Sequence, residues 1–410
     1  MRSTSAAALS AVLCLGLTAS WGCSKGGSEP AAKAPAAKSG EVKLQKRYYD
    51  PTSTKLQSEG QVVDGLREGA WAFWYPGGAK QAEGIYHYDL QDGPWKEWWE
   101  GGALKMSGVY QEGRRTGPWK FWHENGQLFT EGEFAGDRHT GTWTAYHEDG
   151  SKLSSGAYVD GLEDGMWTWW HPGGTQVSNT GEYKAGKRVG TWRDFHSDGT
   201  RAAEGEFVDG QEVGTWTWWH PGGEQIASTG EFAAGKRVGN WISYHANGQK
   251  AEEMSWVDGL QDGPLLQWHD NGNQHVKGAF AKGKKSGEWT RWRIDGSKLD
   301  EGTFTDGLST GMWHTWHENG QLLNEGEYAA GKRTGPWKAW YDNGQPQSEG
   351  SFVDDKQDGP WTLWHANGQM QAKGTFAAGL MEGAWEGWNA DGTPDTAQSG
   401  TYKQGAKEPG

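Results

Sequence analysis

From Gly69 onwards the chain is a succession of short runs in which aromatic and polar residues interleave, each broken by a glycine dipeptide. One unit reads Gly311-Met312-Trp313-His314-Thr315-Trp316-His317-Glu318-Asn319-Gly320-Gln321-Leu322-Leu323-Asn324-Glu325-Gly326-Glu327-Tyr328. Two aromatic-rich runs flanking Asn-Gly predict a β-hairpin, with a two-residue type I′ turn at Asn319-Gly320 where both φ values must be positive. The leading glycine recurs at Gly69, Gly93, Gly117, Gly141, Gly165, Gly190, Gly214, Gly239, Gly263, Gly287, Gly311, Gly335, Gly359 and Gly383. The interval is 24 residues, with single insertions only after Gly165 and Gly214. Each unit carries Asn-Gly, Asp-Gly or Gly-Gly at the same offset and closes its second strand in Gly-x-aromatic, as at Gly84-Ile85-Tyr86.

A single hairpin is marginal in water, so the units must stack edge to edge and bury their rings on one another. The expected fold is all-β, an elongated solenoid of about 14 antiparallel β-hairpin repeats of 24–25 residues. Its 28 strands would extend roughly 130 Å. Rings at i and i+3, such as Trp119 and Trp122, cannot share one face of a flat strand whose side chains alternate. Either the strand bends there or both faces carry rings. A ladder of cross-strand ring pairs is the first reading, and a ring platform for a ligand the second.

Composition agrees with a repeat array. Sixty-six glycines and 29 tryptophans stand beside 34% hydrophobic residues, too few for an ordinary aliphatic interior at 410 residues. The net charge of −14 argues against nucleic acid or an anionic membrane as partner, since phosphate neutralisation needs an excess of clustered Lys and Arg.

Residues 1–22 read as a signal peptide, with Arg2 ahead of an apolar run, Ala6 to Leu17, that is too short to span a bilayer. The segment ends at Ser20-Trp21-Gly22-Cys23 and resembles a bacterial lipoprotein signal. That resemblance implies lipidation at Cys23, export, and anchoring in the cell envelope, with the outer membrane as the expected site. Residues 23–44 are Ser, Gly, Pro, Ala and Lys-rich and read as a disordered tether. A degenerate cap repeat over 45–68, the array over 69–405 and a tail over 406–410 complete the division. With Cys14 inside the signal, only Cys23 remains and no internal disulfide is expected.

Gly-x-Trp-x-x-aromatic-x-x-Asn-Gly followed by Gly-x-Tyr resembles the bacterial variant of MORN repeats over residues 45–405. The resemblance implies a scaffold with a protein partner, and a toxin as that partner for the members described as antitoxins of toxin–antitoxin pairs. Choline-binding and glucan-binding repeats are also Trp-rich hairpin arrays, which keeps a second function open: binding of cell-wall glycan through exposed Trp rows.

Little in the chain points to catalysis. Histidine follows the second aromatic at His123, His147, His171, His196, His220, His245, His269, His317 and His365. Neighbouring copies lie about 9.6 Å apart, too far to share one ion, so these read as solvated residues beside the turn. Gly181 to Arg188 fits most of a P-loop, yet Arg188 stands where Ser or Thr would hold magnesium and no helix follows. Neither an enzyme nor a cofactor or metal is expected.

Two departures carry the binding expectation. The connections between copies alternate in sign, from Asp160-Gly161-Leu162-Glu163-Asp164 to Gly186-Lys187-Arg188, then Asp209 to Glu212, then Gly235-Lys236-Arg237. The alternation continues to Gly331-Lys332-Arg333 and reads either as a register-setting ladder of ion pairs or as a striped edge for a charged partner. The ninth copy breaks the pattern, with Met254-Ser255-Trp256 replacing Gly-x-aromatic and Leu265 replacing the leading Trp. The break reads either as a local kink or as a partner-binding patch, which makes Met254, Trp256 and Leu265 candidate partner contacts, together with Lys187, Arg188, Lys236, Arg237, Lys332 and Arg333.

Overall fold

The computed structural model describes residues 40–52 and 54–409, so the signal, Cys23 and most of the tether lie outside the described residues. Thirty-one strands run from β1 (Val42–Tyr48) to β31 (Ala406–Lys407). Each pairs antiparallel with its neighbours in sequence, and β1 and β31 have one partner each, so the sheet is a single open meander. The structure is all-β, an elongated solenoid of antiparallel hairpins. The fourteen copies run from β3 (Leu66–Trp74) to β30 (Gly400–Lys403), and β1, β2 (Leu56–Val63) and β31 add three strands to the expected 28. Stacked about 4.8 Å apart, they give roughly 145 Å measured along the sheet.

What holds the copies together is a tryptophan lying flat on a glycine. Across β10 (Lys152–Val159) and β11 (Leu162–Trp170), a Cβ added at Gly156 would stand 2.1 Å from Trp167 Cδ2. The same contact recurs at thirteen hairpins, with Cβ-to-ring distances of 2.0–2.4 Å. Three residues of the longer strand oppose the one glycine, since Ser155 pairs with Thr168 and Ala157 already with Asp164. This bulge leaves the Ala157 carbonyl to accept the Trp167 indole N–H at 3.1 Å. The Gly-x-Trp and Gly-x-aromatic signatures are thus two halves of one socket.

The aromatic of Gly-x-aromatic fills the interval between successive indoles. Trp143, Tyr158, Trp167, Tyr183 and Trp192 meet edge to face at 5.1–6.4 Å. Such pairs contribute about 0.5–1.5 kcal/mol each beyond area burial. The column runs from Trp71 to Trp241 and resumes from Phe280 to Trp385. Both faces carry rings, as one of the two expectations had it: Trp167 and Trp169 stack at 5.5 Å on the column side. The ring at i+3 belongs to the opposite face, where Phe195 shares a shallow hollow with Thr168, Val177 and Thr180.

The turns differ from the expectation. At Asn319-Gly320 only Gly320 has positive φ, and its N–H bonds the His317 carbonyl at 3.1 Å while His317 N–H bonds Gln321 O at 2.8 Å. This is a type I turn closed by a left-handed glycine, the three-residue hairpin loop. The Asn319 side chain accepts from Gln321 N–H, which favours this arrangement over the two-residue turn. Type I′ geometry, positive φ at two successive residues, sits instead at the connections between copies, as at Asp160-Gly161 (φ 51 and 86) and Ala185-Gly186 (φ 48 and 78). The inserted residues of the 25-residue copies lengthen the loop to four residues, Pro172-Gly173-Gly174-Thr175 and Pro221-Gly222-Gly223-Glu224.

Both edges are stitched copy to copy. On the short-turn edge, Gly186 N–H donates to Glu163 O at 2.8 Å and Gly210 N–H to Arg188 O at 2.9 Å. On the long-turn edge, Asn343 Nδ2 donates to Ala366 O and Asn367 Nδ2 to Ala390 O at 2.6 and 2.7 Å. Eight of the nine histidines expected to be solvated are part of this stitching, His147 being the exception. His171 Nε2 bonds Phe195 O at 3.0 Å, His245 bonds Trp268 O at 2.9 Å and His317 bonds Trp340 O at 2.8 Å. A carbonyl only accepts, so Nε2 carries the proton in each. Tyr75, Trp99, Arg293 and Tyr341 take the same place with their own donors. In most copies the position holds a donor that reaches the next copy, and histidine is the commonest one.

Candidate interaction surfaces

The short-turn edge presents the charge alternation to solvent. Each turn has two residues in left-handed geometry between facing strand ends, so the residues on either side project from the edge. Turns at Asp160, Asp209, Asp258, Asp306 and Asp354 alternate with those leading into Lys187, Lys236, Lys284 and Lys332. Lys187 meets Asp209 at 3.7 Å, Lys284 meets Asp306 at 3.9 Å and Lys332 meets Asp354 at 3.4 Å. These side chains are 57–82% exposed, which limits each pair to about 0–1 kcal/mol. Lys187, Lys284 and Lys332 each pair with the turn that follows them. Lys236 lays its stem along Gly259 of the next turn.

The second basic residue of each pair does something else. Arg188 lies 4.4 Å from the Trp192 ring, Arg237 4.2 Å from Trp241 and 5.1 Å from Trp256, and Arg333 4.0 Å from Phe352. These cations cap the aromatic column, and Arg333 also pairs with Asp355 at 3.1 Å. Of the six basic candidates, Lys187, Lys236 and Lys332 belong to the exposed edge. Arg188, Arg237 and Arg333 belong to the column.

The ninth copy is not a surface patch. Met254 is 1% exposed and Leu265 4%, and they pack with Val276 and Trp289. Trp256 is half-buried beneath Arg237. The expected partner contact is corrected for Met254 and Leu265 on that ground: without a leading indole, a Cβ and a thioether chain fill the socket from the other strand.

Sequence reasoning did not single out the apolar residues of the same edge. Val159, Leu162, Val208, Val257, Leu260 and Leu308 are 49–55% exposed and flank acidic turns. The basic turns carry Ala or Lys before the turn and Lys after it, as at Ala233-Ala234-Gly235-Lys236 and Lys184-Ala185-Gly186-Lys187. The signal was present as Val-Asp-Gly-Leu at 159–162 and 257–260.

A second surface is the i+3 ring row on the opposite face. Its fourteen members, Trp170, Trp219 and Trp316 among them, are all half-buried. Lys152, Arg201 and Lys298 hold a cation 4.9–5.6 Å from those three rings.

Comparison with known proteins places the repeat. No curated protein matches the chain. Among solved structures, the crystal structure of TcdB2-TccC3-Cdc42 is similar at 10% identity and a TM-score of 0.13, covering 86% of this chain and 27% of that one. A Photorhabdus luminescens Tc holotoxin pore is similar at 12% identity and a TM-score of 0.15, covering 86% and 23%. The chain spans about a quarter of the length of each, and at these TM-scores the likeness carries no argument. The model of the MORN repeat variant matches residues 115–135, 237–258, 310–330, 333–354 and 357–378. The molecule is a β-hairpin repeat protein, five segments of which match the MORN repeat variant.

Proposed function

We propose that this chain is a non-catalytic protein–protein interaction scaffold, exported and held at the cell envelope by a lipid on Cys23, that engages a charged partner through its short-turn edge. The observation that supports this reading is the alternation itself. Nine successive turns, from Asp160 to Asp354, change sign at a spacing fixed by the aromatic column beneath them. A striped edge of fixed pitch selects its partner by charge pattern and rejects partners with like charges in register. Stability alone gains little from pairs so exposed.

An antitoxin or immunity role, with an exported toxin as partner, is the finer form of the proposal and is supported by the MORN-variant match and the lipoprotein-like signal. The test is capture from an envelope extract with the full chain, compared with a variant carrying Lys187→Glu, Lys236→Glu and Lys332→Glu. A single protein retained by the unaltered chain and lost by the variant is the expected result. Equal retention by both removes the edge from the function.

The half-exposed ring row supports a second reading, binding of a cell-wall glycan. Indole emission that shifts when polysaccharide or peptidoglycan fragments are added is the expected sign of it, and unchanged emission discards it.

A further inference from the structure

We infer that the short-turn edge is self-complementary, and that its partner is a second copy of this chain, docked antiparallel along the same edge. The inference rests on the interaction reading of that edge and names the partner. The charge pattern of the edge supports it: acidic and basic turns alternate from Asp160 to Asp354. The pattern repeats every second copy, so displacement by one copy sets acidic turns against basic ones along the whole contact.

An antiparallel pair achieves this when its twofold axis passes between two turns. With the axis between Ala234-Gly235 and Asp258-Gly259, the Lys236 turn of one chain meets the Asp258 turn of the other. The Asp209 turn then meets the Lys284 turn, the Lys187 turn meets the Asp306 turn, and the Asp160 turn meets the Lys332 turn. Eight turns of each chain engage, over roughly 67 Å at about 9.6 Å per copy. The contact is isologous and closes on itself, so the product is a dimer and not a filament. The exposed pairs within one chain, Lys187 with Asp209 and Lys332 with Asp354, keep both signs at the surface and exchange partners at little cost.

The experiment is sedimentation equilibrium of the full chain at low and high NaCl, with two charge-reversed variants. One carries Lys187→Glu, Lys236→Glu, Lys284→Glu and Lys332→Glu. The other carries Asp160→Lys, Asp209→Lys, Asp258→Lys and Asp306→Lys. Lys282 already occupies the equivalent turn position at φ 50, so the second set fits the turn. Circular dichroism checks that each variant is folded. The expected result is a dimer that weakens at least about tenfold when salt is raised from about 50 to 500 mM, through screening of exposed charges. Each variant alone is expected to be monomeric, and their mixture to form a heterodimer. A monomeric unaltered chain at low salt, or folded variants that dimerise alone as well as it does, would overturn the inference. In the first case, an envelope protein still captured through the lysines would leave the interaction reading standing.

Discussion

Met254 faces Leu265 directly across β18 (Lys250–Val257) and β19 (Leu260–Trp268), at the site where thirteen other hairpins set a glycine beneath a tryptophan. The two departures of the ninth copy are therefore one exchange. Leu265→Trp alone is expected to destabilise the chain by about 1–3 kcal/mol through overpacking against Met254. Adding Met254→Gly should recover most of the loss, a strong non-additivity that a double-mutant cycle measures. Equal effects of Leu265→Trp in both backgrounds would mean that the pair is not coupled.

Gly326→Ala inverts that experiment. Its Cβ would stand 2.2 Å from Trp337 Cδ2, so the glycine strand or the buried indole must shift. A loss of about 1–3 kcal/mol is expected. Each copy contacts only its neighbours, so protection from hydrogen exchange should fall chiefly around β24 (Leu322–Ala329) and β25 (Lys332–Trp340).

His317→Leu removes the donor that reaches Trp340 O, at an expected cost of about 0.5–1.5 kcal/mol. His317→Tyr should cost far less, because Tyr341 performs the same bond to Trp364 O at 2.8 Å. Chemical denaturation of both variants separates a donor requirement from a requirement for imidazole.

Alkaline pH should unfold the protein earlier than its lysines alone would. Burial pushes the hydroxyls of Tyr110, Tyr146 and Tyr158 up to about 12. An unfolded tyrosine ionises near 10, so the contribution of these groups is whole below about pH 10 and is lost as pH rises to about 12. Stability followed by circular dichroism across that window is expected to fall, and Tyr110→Phe with Tyr158→Phe to flatten the fall.

Alanine at the first position of a type I′ turn is strained, since a Cβ disfavours the left-handed region. Ala234 sits at φ 49, and Ala234→Asn should stabilise by about 0.5–1 kcal/mol without altering the charge of the edge. A melting temperature that falls would show that Ala234 makes a contact worth more than its strain.

The hairpins, their number and their stacking were legible because the 24-residue period repeats the same few marks. The turn type was not. Asn319-Gly320 is the strongest short signal for a type I′ turn, yet the side chain of Asn319 bonds the backbone two residues on and selects a longer loop. The I′ geometry fell to Ala185-Gly186 and Ala234-Gly235, where alanine gives no hint of positive φ. His171 and its equivalents looked solvated because their acceptor belongs to another copy, 24 residues away, which no local pattern reveals. The basic pairs showed their charge in sequence, but whether a cation faces water, as Lys187 does, or a ring, as Arg188 does, depends on strand alternation around the turn.

The two-copy alternation of the short-turn edge gives the array a phase as well as a length. Since copies interact only with neighbours, excising 48 residues removes one full wavelength and leaves the pattern downstream in step. Excising 24 residues shortens the molecule by half as much but inverts every sign beyond the cut. On the proposed interaction reading, changes in copy number by twos thus conserve the charge pattern a partner would meet, whereas a change by one splits the edge into two halves that no single partner, including another copy of itself, would read in register.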